Sequence, residues 1–220
     1  MFMKNKSLLA FIGLILLLAF ILACGSSSPK NNGLTPMNSN STSTVSSQTK
    51  IKIKTTDDRP VVEIKIDGSD TKIEHGNKVI RGEMKDSEKR KYADEVGNQI
   101  AEVKAKEADG FKVRTLDGKL LWKIKISADK IKISDNEENK NAFELVKKDD
   151  GAKVEQNGNK FGEVKFYRDK QKVKVKDASD KELFDSNTDR YSVAYGVLLV
   201  QQIPEDLRYI IITELLARSL

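Results

Sequence analysis

The sequence predicts a mainly β domain, in which antiparallel hairpins close into a barrel of roughly 12 strands around an apolar C-terminal helix, plus a final short helix. Three observations carry this prediction. Apolar and charged residues alternate along many short segments, turn dipeptides separate these segments, and the chain from residue 191 onward is apolar without alternation. We therefore expect a single domain over residues 51–220, preceded by two segments that do not belong to it.

The chain begins with a basic stretch and an apolar run. Lys4 and Lys6 precede 16 residues, Leu8 to Ala23, that are apolar apart from Gly13. A basic start followed by an apolar core is typical of a secretory signal, and this run is shorter than the roughly 20 residues of a spanning helix. We expect residues 1–23 to be a signal peptide; the alternative is an uncleaved N-terminal anchor helix.

The end of that run resembles the lipobox of bacterial lipoproteins. Ile21-Leu22-Ala23-Cys24 has an apolar residue three positions before a Cys, although Leu22 is bulkier than the Ala or Ser usual at its position. The resemblance implies cleavage between Ala23 and Cys24 and lipidation of Cys24, which would attach the mature chain to a membrane. Two or three acyl chains, at ~0.8 kcal/mol per buried methylene, make such an anchor effectively permanent. In the sorting rule of such lipoproteins, Gly25 favours the outer membrane, on its periplasmic face, over the inner membrane.

Residues 24–50 are predicted to form a flexible tether. Of the 26 residues from 25 to 50, 16 are Ser, Thr or Asn. Such a composition buries too little apolar surface to offset the entropy of ordering. A flexible coil of this length has an end-to-end distance of roughly 28 Å, so it can hold the domain off the lipid surface.

The β prediction comes from residues 51–185. Lysine alternates with Ile or Val in segments such as 51–54, 123–126 and 172–176, and alternation places the two kinds of side chain on opposite faces of a strand. Turn dipeptides separate the segments, and Asp117-Gly118 is the clearest hairpin turn. Their spacing indicates a repeating unit of roughly 20 residues, a hairpin of two strands. No segment before residue 186 resembles a crossover helix, so a parallel sheet is disfavoured.

The C-terminal stretch breaks this pattern. Residues 193–200 are apolar on every side, and Pro204 opens a second segment with Glu205 and Asp206 in its first turn. Proline at a helix start followed by acids fits the polarity of a helix. A segment that is apolar all round must be buried on all sides. We therefore expect the sheet to close around residues 191–203, with the final helix plugging or capping it.

This arrangement is similar to the tubby, scramblase and LURP-one-related barrel superfamily. The hairpin series 51–185 and the segment Ser192 to Val200 carry the resemblance. It implies a membrane-proximal role, with lipid headgroup binding in some members, but no headgroup-binding residue can be matched here. Two other β architectures remain open: the half-barrel of lipoprotein carriers and the repeated jellyroll of lipopolysaccharide-transport proteins.

The composition excludes several kinds of chemistry. One Cys and one His leave no intramolecular disulfide and no multi-Cys or multi-His metal centre. Without Lys4 and Lys6 the mature chain carries 37 basic and 33 acidic side chains, a net charge of +4, and no aromatic-flanked basic motif indicates nucleic acid. No phosphate-binding loop or nucleophile elbow occurs. We therefore expect no enzyme, no catalytic residue, no cofactor and no metal.

A few individual residues still invite a functional interpretation. We expect His75, which lies in a turn, to be solvated and Trp122 to belong to the core. The adjacent acids serve solubility rather than acid–base catalysis, because neighbouring strand residues point in opposite directions. These pairs are Asp57-Asp58, Glu137-Glu138 and Asp149-Asp150.

Taken together, these features predict a non-enzymatic envelope lipoprotein that binds a lipid or protein partner at the membrane surface. One alternative is a structural or assembly module without a ligand cavity. Two minor alternatives are a carrier of lipid or lipopolysaccharide with an open β-cradle and a hydrolase with an unrecognised carboxylate site. The position of residues 191–220 distinguishes the lipid- or partner-binding protein from the module without a ligand cavity, because a helix inside the barrel leaves no room there for a lipid.

Overall fold

The computed structural model describes residues 48–106, 109–189 and 191–220. These residues form a closed barrel of 14 antiparallel strands, which confirms the predicted fold class with two strands more than expected. Two strands, β7 and β9, have only five residues, so more hairpins fit into the same length of chain. The strands are β1 (Thr49–Thr55), β2 (Pro60–Asp67), β3 (Asp70–His75), β4 (Lys78–Met84), β5 (Lys89–Asp94), β6 (Gln99–Ala105), β7 (Gly110–Arg114), β8 (Leu120–Ile126), β9 (Lys130–Ser134), β10 (Phe143–Lys148), β11 (Gly151–Gln156), β12 (Asn159–Tyr167), β13 (Lys172–Asp177) and β14 (Glu182–Asn187).

The topology is an uninterrupted series of hairpins. Each strand pairs with its neighbours in sequence, and β1 closes the barrel against β14 through the pairs Lys54–Asp185 and Thr55–Phe184. The turns therefore alternate between the two ends of the barrel. We call the end at which residue 48 enters the entry end; turns after odd-numbered strands lie at the opposite, far end.

The wall of the barrel follows the alternation in the sequence. On β1, Ile51 and Ile53 are buried while Lys50 and Lys52 are exposed. Full burial of such an aliphatic side chain stabilises the fold by about 1.5–3 kcal/mol, so slipping a strand by one residue would be costly. The apolar side chains of the strands thus face inward, and the lysines form the outer surface.

Five far-end turns share one side-chain contact, which accounts for part of the repeat. Thr55, Asp94, Thr115, Asn136 and Asp177 each accept a hydrogen bond from the backbone N–H four residues later, at 2.8–3.2 Å. The pairing register shifts at four of these hairpins, those of Thr55, Asp94, Thr115 and Asp177. The predicted hairpin at Asp117-Gly118 is one of them, and Gly118 has a φ of +84° there, which glycine adopts without strain.

The C-terminal segment fills the barrel. A 3-10 helix, Val193–Leu199, is buried along its whole length and contacts β10 to β13. Helix α1 (Glu205–Ala217) follows, with most of its residues buried, and packs against β2, β3 and the 3-10 helix. The prediction that the sheet closes around residues 191–203 is confirmed, and α1 lies inside as well. Gly196 allows the close approach, because a Cβ there would lie 2.9 Å from Val154 Cγ2.

The N-terminal boundary differs slightly from expectation. Strand β1 begins at Thr49, two residues inside the predicted tether 24–50, because Thr49 and Lys50 already pair with Ile66 and Lys65. The predicted signal peptide, the cleavage position after Ala23 and the lipidated Cys24 lie outside the described residues. Within residues 48–220 as described, no helix has the length and apolar character needed to cross a membrane.

Candidate functional site

The barrel interior is the first place to look for a ligand, and protein side chains occupy it. Buried apolar residues from the strands, the 3-10 helix and α1 form one continuous cluster. Leu198 and Leu199, for example, are 2% and 6% exposed. The filled interior leaves no room for acyl chains unless residues 191–220 move out of the barrel.

A cavity of about 730 Å³ lies instead at the entry end of the barrel. The start of β1, the segment after β14 and the last residues of the chain surround it. Tyr191 donates a hydrogen bond to the Gly151 carbonyl oxygen, and Ser192 donates one to the Leu220 carbonyl oxygen. Burial raises the pKa of Tyr191 to about 12, so this hydroxyl stays a donor. The cavity is therefore a mixed polar and apolar mouth beside the point where the chain enters the barrel.

A buried charge cluster joins α1 to the inner wall. Glu214 is 1% exposed, and its Oε1 accepts hydrogen bonds from Arg90 Nη1 at 2.6 Å and from the Tyr92 hydroxyl at 2.7 Å. Arg218, one turn along α1, donates to Glu214 Oε2 and to its backbone oxygen. Arg90 also donates to the Ser69 carbonyl oxygen at 3.0 Å. We call Arg90, Tyr92, Glu214 and Arg218 the Glu214 cluster.

The Glu214 cluster keeps fixed protonation states. Burial alone would raise the pKa of Glu214, but the charges of Arg90 and Arg218 and the hydrogen bonds from Arg218 and Tyr92 hold it below its ordinary value. Burial and the nearby Glu214 carboxylate raise the pKa of Tyr92 far above its ordinary value. Glu214 is thus a carboxylate and Tyr92 a neutral donor, an arrangement suited to holding α1 rather than to exchanging protons.

His75 is buried, and the prediction that it is solvated is wrong. It is the last residue of β3 and faces inward, because Thr71 and Ile73 occupy the same face of that strand. Its Nε2 lies 2.9 Å from Asp206 Oδ1, and its ring lies 4.9 Å from the ring of Tyr209. The histidine therefore contacts the first turns of α1 and helps to hold that helix at the far end.

The outer wall carries carboxylates that each contact several lysines. Glu63 on β2 lies within 2.9–3.3 Å of the ammonium groups of Lys50, Lys52 and Lys65. Hydrogen bonds from Lys50 and Lys65 are the main cause of a pKa of about 2 for Glu63. This carboxylate stays ionised over the whole physiological range.

The other predicted residues have mixed outcomes. Trp122 is only partly buried and packs against the edge of the core. Asp57 and Asp150 lie in turns and pair with Arg59 and Arg168. Glu137 differs from these acids because it contacts three cations of the neighbouring strands, an arrangement that its sequence context did not indicate.

Sequence reasoning missed the Glu214 cluster, although a signal for it exists. Glu214 interrupts an apolar helix, and Arg90 and Tyr92 share the inward parity of β5. In the described ranges 48–106, 109–189 and 191–220, no group of three His, Cys, Asp or Glu side chains could hold a metal ion. The comparisons with protein-family models, curated proteins and solved structures found no match.

Proposed function

We propose that this chain is a lipid-anchored protein of the bacterial envelope, without enzymatic activity, that binds a lipid or protein partner at the membrane surface. The occupied barrel interior is the observation that carries the proposal. A barrel filled by its own C-terminal segment has only its outer wall and its mouth to offer a partner. The lipobox at Cys24 supplies the membrane attachment, with the outer membrane favoured by Gly25.

The position of the entry end supports a membrane-proximal orientation. Gln48, the last tether residue before β1, lines the mouth cavity together with the last residues of the chain. An anchored protein would therefore have this cavity at the end of the barrel to which its tether is joined. A tether with an end-to-end distance of roughly 28 Å would keep this end near the membrane.

The absence of catalysis in this proposal rests on how the buried polar groups are used. Glu214 accepts hydrogen bonds on both carboxylate oxygens, and His75 is packed between Asp206 and Tyr209. These groups are occupied by structural contacts and are closed off by α1. A general acid or base has to reach a substrate, and neither group offers that access.

A structural or assembly module is the second candidate, and the Glu214 cluster favours it. The cluster joins the helix to the wall by interactions that α1 would have to break in order to leave. Breaking these interactions would leave Arg90 buried without its carboxylate, at a cost of several kcal/mol. The same cost argues against the open lipid cradle, which requires the interior to empty.

Replacement of Cys24 tests the anchor. In Cys24→Ser we expect the thioether-linked lipid to be lost, with the chain either released from membranes or left with its signal uncut. Incorporation of labelled palmitate, membrane fractionation and the mass of the N-terminal peptide report the three steps. Ser27→Ala, three residues further on, is the matched control and should be processed normally. Unchanged labelling and attachment of Cys24→Ser would contradict the proposal.

A further inference from the structure

Two rows of cations cross the outer wall of the barrel. In the β1–β4 row, Lys50, Lys65, Lys72 and Arg81 lie directly opposite one another on successive strands. In the β5–β8 row, Lys89, Lys104, Lys112 and Lys123 do the same. Like charges placed opposite each other across strands are destabilising, so each row needs counter-charges.

In the β1–β4 row, carboxylates of the wall itself pair with Lys50, Lys65 and Lys72. Glu63 on β2 contacts Lys50 and Lys65 at 2.9 Å. Glu74 on β3 contacts Lys65 at 3.6 Å and forms a shorter pair with Lys72. These carboxylates belong to strands whose positions the barrel fixes, so they remain beside the lysines.

The β5–β8 row is paired differently at its two ends: Lys89 lies 3.4 Å from Glu102 on β6, whereas Lys112 and Lys123 depend on a loop. Glu137, in the loop between β9 and β10, lies 2.7 Å from Lys112 and 3.8 Å from Lys123 through its two carboxylate oxygens. Arg114 on β7 lies 3.6 Å from the same carboxylate. Within the described ranges, no carboxylate lies within 4.0 Å of the ammonium of Lys104. The carboxylate that pairs with Lys112 and Lys123 is therefore 47% exposed and lies in a loop rather than on a strand.

The loop is ordered so that Glu137 extends over β7 and β8. The Asn136 side chain accepts from the Lys140 N–H at 2.8 Å and donates to the Lys140 oxygen at 2.9 Å. Lys123 donates to the backbone oxygen of Glu137. Hydrogen bonding by Lys112 lowers the pKa of Glu137, as expected for an anion among cations.

A small cleft adjoins this contact. It has a volume of about 150 Å³ and includes Lys112 and Lys123 in its lining, together with Lys106 and Lys125. Gly110 also lines it, and a Cβ there would lie 1.9 Å from the Ile124 carbonyl oxygen, so no larger residue fits. Asp109 and Asn139 complete the rim. Lys112 and Lys123 thus face both Glu137 and an open space beside it.

We propose that Lys112, Arg114 and Lys123 form a binding site for a phosphate monoester, which displaces the carboxylate of Glu137. A monoester carries about 1.5 to 2 negative charges at neutral pH, whereas a carboxylate or a phosphodiester carries one. Only the monoester therefore gains charge interaction in the exchange. Arg114 adds a guanidinium that is positioned by a hydrogen bond from its Nη1 to the Gly118 carbonyl oxygen at 2.5 Å, while its Nη2 faces Glu137. A planar guanidinium suits phosphate oxygens better than a lone ammonium does. An acidic segment of a protein would replace one carboxylate by another without such a gain.

The ester could be a free metabolite or the headgroup of a lipid such as phosphatidic acid. The chemistry at the site is the same in both cases. The lipid source rests on the function proposed above, because it requires the barrel to lie beside a membrane. The site itself does not depend on the anchor.

Calorimetric titration of the full chain in neutral detergent with glycerol 3-phosphate tests the site. We expect saturable binding, weakened at least tenfold in Lys112→Gln/Lys123→Gln, because charge-assisted hydrogen bonds are the strongest polar contacts. Glu137→Gln removes the competing charge and should strengthen binding by about two- to fivefold. Lys65→Gln/Lys72→Gln is the matched control with the same change in net charge, and it should bind like the wild type. Circular dichroism of each variant confirms that the barrel is intact.

Three results would overturn the site: no saturable binding, equal loss in the two double variants, or no gain in Glu137→Gln. A second titration separates the two sources, with the full chain reconstituted in phosphatidylcholine vesicles with and without 10% phosphatidic acid. If the headgroup is the ligand, phosphatidic acid weakens the apparent affinity for glycerol 3-phosphate. Equal affinities in both vesicles identify the free ester as the ligand. Loss of the anchor in Cys24→Ser leaves the detergent titration unchanged, so the failure of one proposal does not imply the failure of the other.

Discussion

Two carboxylates, one inside the barrel and one outside, each contact three hydrogen-bond donors. Glu214 is 1% exposed and contacts Arg90, Arg218 and Tyr92. The Glu63 side chain is 19% exposed and contacts Lys50, Lys52 and Lys65. Two of the inner donors, the Arg90 guanidinium and the Tyr92 phenol, are buried, so solvent cannot replace the carboxylate for them if the acid is removed. The outer donors are ammonium groups that water can solvate.

The number of partners therefore says little about the energetic importance of an ion pair. Removing one member of a buried pair leaves an uncompensated charge in a medium of low dielectric constant. Removing a member of an exposed pair costs little, because solvent takes its place. The interior therefore depends on a single well-placed acid, whereas the outer wall distributes the same chemistry over many replaceable pairs.

Acids placed in the barrel interior without partners should destabilise the fold most. In the double variant Leu198→Asp/Leu199→Asp, we expect the domain to unfold at 25 °C. Two buried carboxylates without partners cost several kcal/mol, a large part of the total stability of a domain. Circular dichroism and urea titration measure the effect. Leu116→Asp is the matched control, because Leu116 is 58% exposed and should tolerate the change. A folded double variant would contradict the filled barrel.

Removal of the partnered inner acid comes next. For Glu214→Ala we expect the free energy of unfolding to fall by about 3–5 kcal/mol, because Arg90 stays buried without a counter-charge. Urea unfolding of the full chain in neutral detergent provides the measurement. The companion double variant Arg90→Met/Glu214→Met removes both charges. It should lose much less stability than either of the single variants Arg90→Met and Glu214→Met. Additive losses in the double variant would show that the two side chains do not act as a pair.

The barrel was predictable because it depends on a local signal. The alternation of Ile51 and Lys52 repeats along strand after strand, and each strand pairs with its neighbour in sequence. The burial of residues 193–199 was predictable for a similar reason, since a segment apolar on all sides has to be enclosed. Both inferences use only the nearest residues.

The polar contacts were not predictable in the same way. Arg90 lies between Lys89 and Lys91, and nothing nearby distinguishes the one cation that points inward except its parity with Tyr92. Its partner Glu214 is 124 residues away in the chain. The glycine that follows His75 predicts a solvated turn, whereas the strand continues through His75 on its inward face. Local sequence thus predicts which face a residue occupies more reliably than which residue it meets across the barrel.

The smallest expected effect concerns the outer acid and depends on pH. The pKa of Glu63 is lowered from 4.5 to about 2 in the folded chain, so the carboxylate stabilises the fold fully above pH 4.5. That contribution decreases as the pH falls towards 2 and is absent below it. For Glu63→Gln we expect a loss of about 1 kcal/mol at pH 7, after allowance for solvent screening of an exposed pair. Urea titrations at several pH values should show the stability of the two proteins converging as the pH falls from 4.5 to 2. If Glu63→Gln lost as much unfolding free energy at pH 7 as Glu214→Ala, the outer carboxylate would be as important for stability as the inner one, contrary to this expectation.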